Sequence, residues 1–536
     1  VKIGIVGAVF AGMVGVAGFG AYNIYTSLDG GGGGGSGPTS DTAARVNTAP
    51  PTAQEISTTA DAFLAAWSAG DIPKAAALTD SVQTATAALT GYRTEGHIAT
   101  VTATPGTATA TGTNFSVTAV VGYDGMRRSW TYASALTVAR NAKGDPAVKW
   151  APSVLQPDLT EGDTIVTGRA SVPDVEFLDR HDKVMTAASY PSLAGIFDKM
   201  ATTYADKLTG GSPGIETYVE KADGSQGKTL YVLKKGVGRK LTTTLDATLQ
   251  SAAEKAVAGK TQAGVTALDT DTGEIRAIAN SPAGGFDYAM NAGVAPGSTF
   301  KIVTAAALLE HGMTRHTSAP CLNGKNYLNG RIYHNDSGVR DDPNADLDSD
   351  FAVSCNTGFI TQAGRLGPDG LRATAAQFGL TQKWNVGTPC TDPAVPGGTG
   401  DQLTSQMIGQ GSLQMSPLIM ASVAATARDG SFHQPRIVAK SLLDGPVAKA
   451  EGLSSGVSSQ LRQMMHGVLT HGTGVGVMSG SDAGAKTGSA EVDGQAATNG
   501  WFTAYSGHIA AAAMVQDAGH GNSSAGPIVA AVLRAG

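Results

Sequence analysis

The chain is expected to be a multidomain protein of α+β and α/β character. It should hold an N-terminal membrane anchor, a small α+β cone, a linker domain, and a C-terminal domain whose antiparallel sheet is covered by helices. Three observations predict this. An uncharged run opens the chain, and near His97 the apolar period changes from three-four to two. In the last region, strand patterns stand at both ends of a mostly helical stretch. A length of 536 residues is too great for one ordinary domain. Charged residues are 15% of the chain and the net charge is −6, a mild acidity that disfavours a nucleic-acid binder, which should show a basic stripe. A hydrophobic fraction of 41% excludes wholesale disorder, and three Cys exclude a disulfide-framework protein.

The first element, residues 1–26, is read as a transmembrane anchor. Ile3 to Tyr25 carries no charge, and as a helix it would span about 35 Å. Lys2 before it favours an N-terminus inside and the remainder outside. A cleaved signal peptide is the rival reading, but Ala21 to Tyr25 makes a poor cleavage site. Residues 27–51, with an unbroken Gly30 to Gly35, form a flexible tether. Everything after it is expected on the extracytoplasmic side, where disulfides are permitted.

Residues 52–154 form the cone. Ile56, Ala60, Phe63, Leu64 and Trp67 recur at helical spacing over Thr52 to Asp71, and a short helix follows over Ile72 to Leu78. Val101 to Thr111, Asn114 to Tyr123, Arg127 to Arg140 and Ala147 to Trp150 read as strands parted by Gly, Asp and Asn turns. Residues 155–240 read as a linker domain with strands at Asp163 to Ala170 and Thr229 to Leu233 and a helix over Ser192 to Lys207. In residues 241–536, Asp246 to Ala258 is a helix. Gly264 to Asp269 and Glu274 to Asn280 form one hairpin. Asp482 to Val492 and Trp501 to Gln516 form another, with Asp493-Gly494 in its turn. A terminal helix covers Ala525 to Arg534.

The chemistry sits in three short motifs, Ser298-Thr-Phe-Lys301, Ser354-Cys-Asn356 and Lys486-Thr-Gly488, separated by 56 and 132 residues. A second S-x-x-K match, Ser225-Gln-Gly-Lys228, lies in a Gly/Ser turn with no helix behind it and is rejected. Pro296-Gly297 ends the incoming chain and Ser298 starts a helix, so Lys301, three residues on, reaches the Ser298 hydroxyl. Phe300, Ile302 and Val303 flank Lys301, and burial there should lower its pKa and make it a neutral base. The helix start adds positive potential near a developing anion. Lys486 to Ser489 reads as an edge strand onto which a peptide can add, with Gly488 admitting close backbone approach. Trp501 and Phe502 open the partner strand and either wall the cleft or pack in the core. Cys355 reads as a small buried filler or a reactive thiol, and whether Cys321 and Cys390 form a disulfide stays open. Ten His without H-E-x-x-H and without a Cys/His cluster argue against zinc. Gly472 to Gly476 lacks the Lys-Ser/Thr of a phosphate loop, so neither metal nor cofactor is expected.

Over about Leu241 to Gly536, these motifs in this order resemble the penicillin-binding proteins and serine β-lactamases. Pro296-Gly297, Gly409-Gln-Gly411, Met415-Ser-Pro417 and Gly472-Thr-Gly474 agree with that resemblance. It implies a transpeptidase-like domain. Ser298 would be the nucleophile and Lys301 its base. Ser354 would relay a proton, Asn356 would hold the substrate carbonyl, and Lys486, Thr487 and Ser489 would receive a terminal carboxylate. The N–H groups of Ser298 and Ser489 would form the oxyanion hole. The cone resembles the NTF2-like domain of some penicillin-binding proteins, and the linker region their dimerisation-type domain.

The leading expectation is a class B D,D-transpeptidase that cross-links peptidoglycan stem peptides and is acylated by β-lactams, sensitively or with low affinity. The class follows because the N-terminal part is small for an added glycosyltransferase. A serine β-lactamase or a D,D-carboxypeptidase of the same fold is the alternative. A β-lactamase needs a deacylating base, and Glu254, Glu274, Glu310, Glu451 and Glu491 fall in no recognisable loop motif. A signalling receptor is disfavoured, because only about two residues precede the anchor. Expected partners are stem peptides, β-lactams and a membrane glycosyltransferase or division proteins, with no nucleic acid.

Overall fold

The computed structural model describes residues 46–327, 331–492 and 494–536. The expected anchor and most of the Gly-rich tether lie outside them, and no described helix is long and apolar enough to cross a membrane. The chain divides into two compact units. One runs to Thr167 and takes in Thr217–Tyr231; the other holds Gly168–Glu216 and Val232–Gly536.

In the first unit, helix α1 (Ala53–Ala69) starts at Thr52, whose hydroxyl accepts the Glu55 N–H while Glu55 reaches back to the Thr52 N–H. Gly70, in the left-handed region, ends it. Helices α2 (Ile72–Ala77) and α3 (Val82–Thr94) follow. The sequence reading did not anticipate α3. Its threonines are poor helix formers, yet Thr86, Thr90 and Thr94 return their hydroxyls to the carbonyls of Val82, Thr86 and Thr90. Ala85, Leu89 and Tyr92 are its buried face. Strands β1 (Ile98–Ala108), β2 (Gly112–Tyr123), β3 (Met126–Arg140) and β4 (Pro146–Val148) form an antiparallel sheet in that order. Aromatic rings fill the interior: Trp67 meets Phe63, Tyr92 and Phe115 within 6.2 Å between centroids, the last two edge-on.

The second unit is built on a five-stranded antiparallel sheet of β5 (Ala263–Asp269), β6 (Ile275–Ser281), β7 (Ala483–Ala490), β8 (Asn499–Ser506) and β9 (Ile509–Val515). The order is β6-β5-β9-β8-β7, so β7 is an edge. Trp501 to Gln516, read as one strand, is two strands folded at Ser506-Gly507-His508. Both are buried almost throughout, so their apolar text is continuous and hides the turn. Helices α4 (Ala247–Val257), α5 (Lys301–Glu310), α6 (Leu347–Val353), α7 (Asn356–Ile360), α8 (Pro417–Asp429), α9 (Ser455–Thr470) and α10 (Gly526–Leu533) surround it. Helix α4 packs with α10 on the sheet, and α8 with α5, α9 and the sheet. Pro417 to Ala427 of α8 and Lys301 to Leu309 of α5 are buried on all sides, as suits central helices.

Trp67→Ala is expected to lower the stability of the first unit by about 3–5 kcal/mol in urea denaturation, and a loss below about 1 kcal/mol would contradict the packing described.

Candidate active site

Ser298 lies in a 3₁₀ turn, Gly297–Phe300, that feeds directly into α5. The turn is wedged against β7. Gly297 has φ +55°, and a Cβ there would lie 2.4 Å from the Ser489 carbonyl oxygen. A Cβ on Gly488 would lie 3.0 Å from Pro296 O and Thr299 N. The close approach that Gly488 permits is therefore to the protein's own serine turn. The Gly297 N–H donates to Gly409 O at 2.9 Å and Thr299 Oγ1 to Pro296 O at 2.7 Å, which fixes the turn.

Lys301 is wholly buried, with its Nζ 3.1 Å from Ser298 Oγ, 2.8 Å from Ser354 O and 2.7 Å from Asn356 Oδ1. Burial lowers its pKa to about 7, against an opposing pull from Asp336 and Asp350. A neutral amine has two N–H groups and one lone pair. The two carbonyl acceptors take the N–H groups and leave the lone pair to receive the Ser298 proton. Lys486 is equally buried. Its Nζ donates to Ser354 Oγ at 2.9 Å and to Thr487 O at 3.0 Å. Burial, then the neighbouring Lys301, hold it well below the ordinary lysine range. The Ser354 hydroxyl stands 3.5 Å from the first amine and is bonded by the second.

Ser354 is placed by a break between two helices. It caps α6 with φ +65°, an unusual conformation for serine, and Asn356 opens α7. Cys355 is neither a filler nor a free thiol: it forms a disulfide with Cys321, across 34 residues. Cys390, whose pairing with Cys321 the sequence left open, is free, and burial pushes its thiol up to about 12. The sequence kept Cys355 apart because it lies inside a motif, whereas the fold returns the Cys321 segment onto that motif. Asn356 carries two contacts. Its Oδ1 accepts from Lys301, and its Nδ2 donates to His334 O at 3.1 Å. Asn335, which the sequence reading missed, accepts the N–H groups of Asn356 and Thr357 at 2.8 and 3.0 Å.

Lys486, Thr487, Gly488 and Ser489 all lie on the edge strand β7. A cavity of 590 Å³ joins Ser298, Ser354, Thr487, Gly488 and Ser489. Two residues that the motifs do not name complete this wall. Thr473 Oγ1 is 2.6 Å from Thr487 Oγ1, and His520 Nδ1 is 3.3 Å from Ser489 Oγ. The text Gly472-Thr473-Gly474 was a visible signal for the first; nothing marked the second. An adjoining cavity of 600 Å³, sharing Ser298, Asp336 and Ser489 with the first, reaches Asn356, Gln410 and Glu491. Trp501 pairs with Gly488 in the sheet but is fully buried and lines neither cavity, so it is a core residue, as is Phe502. The rejected pair has separate partners: Lys228 bonds Asp158 at 2.9 Å and Ser225 bonds Asp223 at 2.6 Å.

Residues 263–534 match the family model described as the penicillin-binding protein transpeptidase domain. The chain is 28% identical over 301 residues to penicillin-binding protein PbpB of Mycolicibacterium smegmatis, covering 49% of this chain and 46% of that one. It is 30% identical over 213 residues to the peptidoglycan D,D-transpeptidase PbpA of Mycobacterium tuberculosis, covering 37% and 43%. It thus spans about half the length of these curated relatives. Its fold is similar to the solved D,D-transpeptidase domain of a peptidoglycan glycosyltransferase from Eggerthella lenta, with TM-score 0.52 and 21% identity over 69% of this chain and 98% of that one. It is also similar to Pseudomonas aeruginosa PBP2, with TM-score 0.53 and 20% identity over 68% and 96%.

Asp350, one turn before Ser354 on α6, is buried, and neither carboxylate oxygen has a hydrogen-bond partner among the described residues. Burial pushes its carboxyl up to about 8, opposed by Lys301 and helped by Asp346 and Asp342. The folded state therefore keeps a proton that the unfolded chain sheds. Stability from this group is full below the unfolded value near ~4 and is lost as pH rises through the folded one. Asp350→Asn removes that dependence, so its gain in urea midpoint over the wild type should grow between about pH 4 and about pH 9. A gain that stays flat with pH would contradict the assignment.

Proposed function

The chain belongs to the penicillin-binding protein transpeptidase family, and on that premise we propose that it is a class B peptidoglycan D,D-transpeptidase working through a Ser298 acyl-enzyme. The observation that carries this is the Lys301 amine, stripped of water, with two carbonyl oxygens on its N–H groups and Ser298 Oγ at 3.1 Å.

The Ser298 proton passes to the Lys301 lone pair as Oγ bonds the carbonyl carbon of the penultimate D-alanine of a stem peptide. The carbonyl electrons move onto oxygen, which the N–H groups of Ser298 and Ser489 receive; losing one such donor typically costs about 3–4 kcal/mol in the barrier. As the electrons return, the C–N bond breaks. The leaving nitrogen takes the proton of the Ser354 hydroxyl, and the Lys301 ammonium replaces it. Lys486 orients that hydroxyl at 2.9 Å. The terminal D-alanine departs, and an amine of a neighbouring strand attacks the ester carbon and gives its proton to Lys301. Lys301 returns that proton to Ser298 Oγ at 3.1 Å as the C–O bond breaks, which restores the resting site. Thr487 and Ser489 hold the terminal carboxylate of the donor. The Asn356 Nδ2 faces the donor's peptide carbonyl, and its Oδ1 stays on Lys301.

The cavity beyond Asn356 also reaches Ser298, so two peptides have separate approaches to one hydroxyl. Glu491 on its wall can attract an acceptor ammonium and take its extra proton, so that it attacks as the neutral amine. This favours transfer over hydrolysis, the reaction of a β-lactamase or D,D-carboxypeptidase. We infer an anchor at residues 1–26, a tether at 27–51, an NTF2-like spacer at 52–154, a dimerisation-like linker at 155–240 and a catalytic domain at 241–536 on the extracytoplasmic face. A membrane glycosyltransferase or division proteins would be the partners, and β-lactams the covalent inhibitors.

Incubation with benzylpenicillin should add one penicilloyl group in intact-mass measurement, absent in Ser298→Ala. An adduct that survives Ser298→Ala would overturn the assignment. A lifetime of hours supports the transpeptidase; release within seconds would make it a β-lactamase.

A further inference from the structure

A donor peptide ends in a carboxylate, and a carboxylate removed from water needs hydrogen-bond donors and compensating charge. Lys486 was expected to supply that charge. Its Nζ is fully buried and already committed to Ser354 Oγ and Thr487 O. Thr487 Oγ1 shares a hydrogen bond with Thr473 Oγ1, in which either hydroxyl can donate. Ser489 brings the second hydroxyl of the strand to this wall of the cavity, and its neighbour is His520 Nδ1.

His520 is held there by its own backbone. Its carbonyl accepts the Ser524 N–H at 3.2 Å, Ser524 Oγ at 2.8 Å and Ser523 Oγ at 3.0 Å. The preceding residue is tied on both sides: the Gly519 N–H donates to Thr498 O at 2.9 Å, and Thr498 Oγ1 donates to Gly519 O at 3.0 Å. The loop between β9 and α10 is thus pinned around a residue whose ring is free to face the cavity. Arg340 and His471 line the same cavity, but among the described residues neither hydrogen-bonds the Lys486–Ser489 strand.

We propose that His520 is a specificity-determining residue for the substrate's terminal carboxylate, acting as a positioning residue through the Ser489 hydroxyl. With Nδ1 protonated, the imidazole donates to Ser489 Oγ. The serine proton is then turned into the cavity towards the anion. The inference rests on the acyl-transfer reading above and deepens it by adding a group that the three motifs do not contain.

The test compares second-order acylation rate constants for benzylpenicillin and its methyl ester, which lacks the carboxylate, in wild type, His520→Ala and His520→Asn. The acid-to-ester ratio should fall roughly ten- to a hundredfold in His520→Ala, the range of one hydrogen bond to a charged group. His520→Asn, whose Nδ2 takes the place of Nδ1, should restore much of it. A ratio that holds while both rates fall together would overturn the proposal and leave His520 a prop for its loop. An unchanged ratio with unchanged rates would overturn it equally. Failure of the wild type to be acylated at Ser298 by either ligand is a different result: it removes the acyl-transfer reading itself, and the inference with it.

Discussion

Two lysine side chains are taken wholly out of water beside one serine hydroxyl. Burying a charged amine costs several kcal/mol even after relaxation. Two such charges would also repel each other across Ser354. The fold lowers this cost by letting the amines shed protons and by giving their N–H groups fixed oxygen acceptors. The same burial that penalises the ammonium turns Lys301 into a base poised near neutrality. Strain and reactivity at this site thus have one origin.

That constraint explains where the motifs stand in the fold. Ser298 is on a 3₁₀ turn jammed against an edge strand, where glycines at 297 and 488 let two backbones meet. Ser354 occupies a left-handed position between two helices, and the bond from Cys355 to Cys321 closes the segment around it. Lys486 reaches it from β7, the edge strand of the sheet. A shift of one residue in β7 would turn Lys486 away from Ser354, so sheet register and chemistry are not independent. Asp350, buried beneath the same helix break with no hydrogen-bond partner among the described residues, adds another ionisable group whose titration is coupled to that of Lys301.

Much of this was readable in the chain, for identifiable reasons. The i, i+3 spacing of Ser298 and Lys301 and the flanking apolar residues sufficed to place one side chain on the other and to predict its burial. Alternation along β1 to β3 gave the first sheet because one face is exposed. Where both faces are covered, as in β8 and β9, alternation vanished and two strands read as one. Helix α3 escaped because its threonines satisfy local carbonyls instead of following propensity. Asp350 stands one turn before Ser354 on α6, and its burial is set by what packs on that helix. Asn335 and His520 reach the site through tertiary returns of loops, which no local spacing records. The disulfide escaped for the same reason. Trp501, left open between cleft wall and core, packs in the core: an aromatic beside a motif strand belongs there when the strand's far face is covered.

The account stands or falls on the protonation of one amine. In protein labelled with ¹³C at lysine side chains, the Lys301 ε-carbon, assigned by its loss in Lys301→Met, should titrate with a midpoint near the value of about 7 that burial imposes. A midpoint near ~10.4, the ordinary value for lysine, would contradict it. Ser298 would then face an ammonium with no lone pair to accept its proton.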